Sequence, residues 1–150
     1  MVPDTVLVAA AAFSLVLVCS HLDTAYMDEE FHVPQLGRYL EGKYLEWDGK
    51  ITTLPGMYAL TWGLCRVTGL HWMLGLVHAA RLYNALVAAT TLLLLRKLTP
   101  VYSELVFLFP PLFATFSIYY TDPTALCLLL GHFLAIQKRK PVIAATVITT

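Results

Sequence analysis

Long apolar stretches alternate with short polar breaks along most of this chain, and most of the acidic residues gather in one loop. Val6–Leu22 is apolar except for Ser14, Ser20 and His21. Ala79–Leu98, Leu105–Thr121 and the shorter Pro123–Gln137 follow, and Pro141–Thr150 begins a further apolar run. A spanning helix needs about 20 apolar residues to cross roughly 30 Å of hydrocarbon, so the first four segments are predicted to span a bilayer. Pro141–Thr150 stops without a turn or cap, which leads to the expectation of an N-terminal portion of a longer fold. Between the first two spans lies a loop over residues 23–78. Its second half, Leu54–Val77, is apolar but broken by Pro55-Gly56, Arg66 and Thr68-Gly69. That pattern predicts a segment lying along the membrane surface.

Composition agrees with the pattern: 58% of residues are hydrophobic and 13% charged, with a mean hydropathy of +0.67. Soluble domains carry about 25% charged residues, so the predicted class is an all-α polytopic membrane protein. No Lys or Arg precedes Val6, which favours a retained first helix over a cleaved leader. The formal net charge is zero and gives no basis for a nucleic-acid partner. Cys19, Cys65 and Cys127 stand in apolar surroundings without metal-ligand spacing and read as small buried hydrophobes. The basic groups Arg96-Lys97 and Lys138-Arg139-Lys140 share one side if Leu54–Val77 does not cross. By the positive-inside bias that side is cytoplasmic. The acidic loop and Thr121-Asp122 then face the opposite compartment, the lumen in a eukaryote, with Arg81 close to it.

Asp28, Glu29 and Glu30 adjoin the end of the first span. Such a group can supply a general base or a metal ligand, and it can equally be a solvated acidic loop. Pro34 suits the first turn of a short helix ending at Glu41 before Gly42, with Gln35, Arg38 and Glu41 on one side. His32 precedes it, four residues after Asp28. Glu46-Trp47-Asp48 and Lys50-Ile51-Thr52-Thr53 form a second polar group, readable as a sugar-facing surface or as an interfacial Trp anchor. Tyr119-Tyr120-Thr121-Asp122 closes the third apolar segment, its aromatics suiting the membrane interface. Arg81 reads as a partner for Asp122 or as a phosphate ligand. Glycine-rich phosphate loops, G-x-S-x-G, H-E-x-x-H and paired cysteines are all missing from the sequence.

Two runs carry a resemblance. Tyr26-Met27-Asp28-Glu29-Glu30-Phe31-His32-Val33-Pro34-Gln35 and the stretch from Glu46 through Trp47-Asp48-Gly49-Lys50-Ile51-Thr52-Thr53 to Tyr58 closely resemble the endoplasmic-reticulum dolichyl-phosphate-glucose-dependent α-1,2-glucosyltransferases. Tyr119-Tyr120-Thr121-Asp122 and Arg81 look like further family positions. The resemblance implies an N-terminal part of a GT-C type membrane enzyme whose first lumenal loop holds an acidic catalytic residue. Asp28 matches that residue, with Glu29 beside it. His32, Gln35, Trp47, Asp48, Thr52, Thr53, Arg81 and Asp122 are the expected substrate-binding positions, and no metal is implied. The implied donor is dolichyl-phosphate-glucose and the implied acceptor a dolichyl-diphosphate-linked oligosaccharide. The chemistry is one inverting displacement, with Asp28 as base and Arg81 offsetting charge on the leaving phosphate. A non-catalytic membrane subunit, a transporter segment and a dolichyl-phosphate-mannose-dependent mannosyltransferase are the competing readings.

Overall fold

Prolines and glycines cut the apolar sequence into helices at definite points, and a computed structural model describes the result for residues 3–138. The described residues form eight helices and no strand. α1 is Asp4–His21, α2 Glu29–Leu40, α3 Gly56–Thr68, α4 Leu70–Leu74 and α5 Leu76–Leu98. α6 is Ser103–Phe107, α7 Pro110–Thr115 and α8 Thr121–Gln137. The further run expected from Pro141, with Arg139 and Lys140, lies outside the described residues. Among the described residues one helix, Leu76–Leu98, is long and apolar enough to cross a membrane, and Thr5–His21 is shorter and apolar.

α5 is the spine, roughly 35 Å long at the helical rise. α1 runs antiparallel to it. Near the C-terminus of α1, the carbonyl of Cys19 lies 3.3 Å from His78 Nε2, while Leu7 near its start packs in a cluster with Ala88, Leu92 and Leu95. α8 runs parallel to α5, because Tyr83 and Thr124 share a hydrogen bond of 3.1 Å near both N-termini and Leu130 packs against the Leu92 cluster farther along. The return leg between them is α6 and α7, with Phe107 of α6 stacked on Phe116, the residue just past α7, at a centroid distance of 5.1 Å. Consequently the loop after α1 and the turn before α8 meet at one end of the bundle. Arg96, Lys97 and Lys138 stand at the other.

Two expectations need correcting. Leu105–Thr121 does not form one helix. Pro110 and Pro111 cannot donate backbone N–H groups into a preceding helix, so α6 ends, and α7 starts afresh with proline in its first turn. The short helix expected from Pro34 begins earlier, at Glu29, and carries Pro34 inside it. Pro34 is exposed and removes one backbone bond. The face Glu29, His32, Val33, Gln35, Leu36 and Tyr39 is buried regardless, and that packing outweighs the local cost. α2 closes at Gly42, whose φ of +82° suits glycine. Leu54–Val77 folds as the short helices α3 and α4 and the first residues of α5.

Candidate active site

At the polar end of the bundle, α5 presents Arg81 and Asn84 one turn apart, and each fixes a different chain segment. Arg81 is fully buried. Its Nε and Nη2 donate to Glu29 Oε1 and Oε2 at 3.0 and 2.7 Å. Nη2 also donates to the Thr24 carbonyl at 2.9 Å, and Nη1 to the Leu22 carbonyl. Glu29, equally buried, accepts two more bonds, from the backbone N–H of Tyr119 at 2.6 Å and of Tyr26 at 3.0 Å. Each of its oxygens therefore holds two donors. Asn84 Nδ2 faces the carbonyls of Ile118 and Tyr120 at 2.6 and 2.9 Å and that of Thr115 at 3.3 Å. One helix thus pins both the segment 22–29 and the turn 115–120.

Asp28 has the opposite surroundings. It is exposed and accepts a bond of 2.5 Å on Oδ2 from the Tyr120 hydroxyl. Its other oxygen, Oδ1, takes no hydrogen bond from the described residues. The turn into α2 separates the two carboxylates: Met27 adopts the left-handed region at φ +53°, after which Asp28 points out and Glu29 in. The Tyr120 hydroxyl keeps its proton well past neutrality, its pKa pushed up to about 12 chiefly by the bond to Asp28.

His32 lies one turn along α2, buried, sharing a hydrogen bond of 2.5 Å with the Tyr58 hydroxyl. Burial lowers the His32 pKa, against the opposing pull of Asp28 and Glu29, so the ring is neutral near pH 7. Burial likewise pushes Tyr58 up to about 12. Trp47 stands edge-on to Tyr58 with centroids 5.4 Å apart and donates its indole N–H to the Ile51 carbonyl at 3.0 Å. Gln35 clamps the same loop, donating to the Glu46 carbonyl at 2.9 Å and accepting from Asp48 N–H at 3.1 Å. Asp48 in turn accepts from Lys50 N–H at 3.0 Å. Thr52 and Thr53 line a groove of about 490 Å³ with Thr121, Thr124, Leu128 and His132. Asp122 is exposed in the first turn of α8, where the helix dipole favours a carboxylate.

The expected residues therefore divide. Asp28 is solvent-facing, and Thr52 and Thr53 border open space. Glu29, expected as a second catalytic carboxylate, has no lone pair left for a proton. Arg81 spends four of its five N–H donors on Glu29 and two carbonyls, so it neither pairs with Asp122 nor faces a phosphate. His32 and Gln35 are buried, the first bonded to Tyr58 on α3 and the second to the 46–48 loop. From the sequence, Tyr120 and Tyr58 enter as positions of the resemblance, without a role in the site, and Asn84 is not singled out. For Asn84 a signal existed: a polar residue three positions from an arginine inside an apolar helix shares its face.

Over 59 residues the chain is 42% identical to the Dol-P-Glc:Glc(2)Man(9)GlcNAc(2)-PP-Dol alpha-1,2-glucosyltransferase of Pyricularia oryzae, which covers 39% of this chain and 9% of that protein. The protein of the same name from Mus musculus is 48% identical over 52 residues, 33% of this chain and 10% of its own length. That of Emericella nidulans is 34% identical over 131 residues, 72% of this chain and 21% of its length. The chain thus spans at most about a fifth of these curated relatives. No solved structure matches. A profile of the DIE2/ALG10 family matches residues 22–150, a stretch that includes every residue of the site just described, and the chain belongs to that family.

Proposed function

We propose that this chain is the base-bearing N-terminal region of an inverting glucosyltransferase of the endoplasmic-reticulum membrane. It uses dolichyl-phosphate-glucose as donor and a dolichyl-diphosphate-linked oligosaccharide as acceptor, and forms a terminal α-1,2 linkage. The observation that carries the reading is Asp28, an exposed carboxylate with one oxygen held and the other open, at the end of the bundle where two loops converge. The names of the relatives support glucose over mannose as the transferred sugar, and nothing favours a transporter or a non-catalytic subunit.

In the proposed step Asp28 Oδ1 takes the proton of the acceptor 2-hydroxyl. The acceptor hydroxyl oxygen, freed of its proton, forms a bond to the glucose C1 from the face opposite the phosphate. The C1–O bond breaks, its electron pair leaves with dolichyl phosphate, and the β-linked donor becomes an α-linked product. The lipid-linked donor already contains its leaving group and takes the place of a cofactor. With Arg81 committed to Glu29, Lys50 is a cation suited to the phosphate. It is exposed, and its ammonium lies 5.1 Å above the ring of Phe31, one turn along α2 from Asp28.

A multi-pass, lumen-facing arrangement is part of the same proposal. Exposed apolar side chains such as Phe13, Val16 and Leu93, each more than half exposed, suit a lipid surface. The acidic loop gathers at one end, and Arg96, Lys97 and Lys138 stand at the other, in the sense of the positive-inside bias. The test is Asp28→Asn in the full chain, assayed in membranes with labelled donor and lipid-linked acceptor. The expected loss in kcat is about 10²- to 10⁴-fold. Undiminished transfer would remove Asp28 as the base.

A further inference from the structure

The pair Asp28-Glu29 docks on the pair Tyr119-Tyr120, one contact through a backbone N–H and the other through a side-chain hydroxyl. The backbone contact, on buried Glu29, fixes where the two segments meet. The hydroxyl contact is solvent-facing and adds little to folding, because an exposed hydrogen bond largely replaces bonds to water. Its effect is on geometry. An Asp side chain on the surface can rotate about two torsions. The Tyr120 hydroxyl pins Oδ2 and so determines where Oδ1 points. Asn84 holds the Tyr120 carbonyl at 2.9 Å, so the tyrosine is anchored from the same helix that anchors Glu29.

Resting on the reading of Asp28 as the base, we propose that Tyr120 is a positioning residue that directs Asp28 Oδ1 at the acceptor hydroxyl by donating a hydrogen bond to Oδ2. Asp28 stands at the N-cap position of α2 yet makes no side-chain bond to that helix. Its orientation therefore comes from across the bundle, from the turn before α8. The Tyr120 pKa, pushed up to about 12, keeps the hydroxyl a donor throughout the working pH range.

The experiment compares Tyr120→Phe with Asp28→Asn in the full chain, in membranes, with dolichyl-phosphate-glucose and lipid-linked acceptor varied independently. A misaimed base costs rate and leaves binding alone, so kcat of Tyr120→Phe should fall about 10- to 100-fold with both KM values within about twofold. Its thermal unfolding should match the wild type. The proposal is overturned if kcat is unchanged while Asp28→Asn is inactive, if the loss falls on KM, or if Tyr120→Phe fails to fold, since the hydroxyl would then be structural. If Asp28→Asn is itself fully active, the base assignment fails first, a distinguishable result.

Discussion

Replacing Arg81 by methionine tests whether the polar end of the bundle is held as described. Methionine keeps the length of the stem and removes the guanidinium. Glu29 would then stay fully buried with only the Tyr26 and Tyr119 N–H groups to satisfy it, and the carbonyls of Leu22 and Thr24 would lose their partner. Breaking a buried ion pair by removing one member costs about 3–5 kcal/mol, because the remaining charge is uncompensated. Against a total stability of about 5–15 kcal/mol the loss is large. Adding Glu29→Gln to Arg81→Met removes that stranded charge, so the double variant should be more stable than Arg81→Met alone. The assay is unfolding in detergent micelles followed by tryptophan fluorescence, since Trp47, Trp62 and Trp72 all lie between α1 and α5. Lys43→Met, which removes a solvent-exposed pair with Glu41, serves as control and should leave the transition unmoved. Wild-type stability in Arg81→Met, or a double variant weaker than the single, would refute the role given to this pair.

Two further outcomes follow from the same geometry. The His32 pKa lies below its ordinary 6.5, chiefly through burial. Near and below pH 6.5 the unfolded chain therefore binds more protons than the folded one, and the His32 contribution, fully present above that pH, is lost as pH falls through the folded value. Unfolding measured between pH 7 and 5 should show declining stability that flattens in His32→Gln, and an unchanged slope would contradict it. For topology, a glycosylation acceptor inserted beside Lys43 should be modified in the lumen, whereas one beside Lys138 should remain unmodified on gels; the reverse pattern would mean an inverted first helix.

The length of the apolar runs made the long helices legible. α1, α5 and α8 each fall within a few residues of the apolar runs, since a continuous apolar face of that length has few alternatives. The break at Pro110-Pro111 was legible too, in principle, but hydropathy averages over proline and reported one span where the backbone makes two short helices. α2 failed for the converse reason. Pro34 reads locally as a start, yet the buried face from Glu29 to Tyr39 begins a turn and a half before it. Within the site, the acidic group and the Trp47–Thr53 run were visible as unusual polar residues beside apolar segments. What could not be read was which carboxylate is spent internally. Glu29 pairs with Arg81 across 52 positions and meets Tyr119 across 90, and single-sequence patterns carry no information at such separations.

The division of labour between Asp28 and Glu29 also argues against a purely structural loop. A sequence selected only to start α2 well would let Asp28 cap it, worth about 1 kcal/mol, and would place glycine or asparagine at the left-handed position. This chain does neither: Asp28 makes no capping bond, and Met27 holds φ +53°. The acidic residues Glu29 and Glu30 in the first turn recover part of the cost through the helix dipole. The buried Arg81–Glu29 clamp then over-determines the strained turn. Local preferences are overridden at the one place where an outward carboxylate and an inward one must be consecutive residues. Such conflicts between local and global demands concentrate at functional sites. By this argument the strain at Met27, the uncapped helix and the bond from Tyr120 are a single device, and its product is one open oxygen on Asp28.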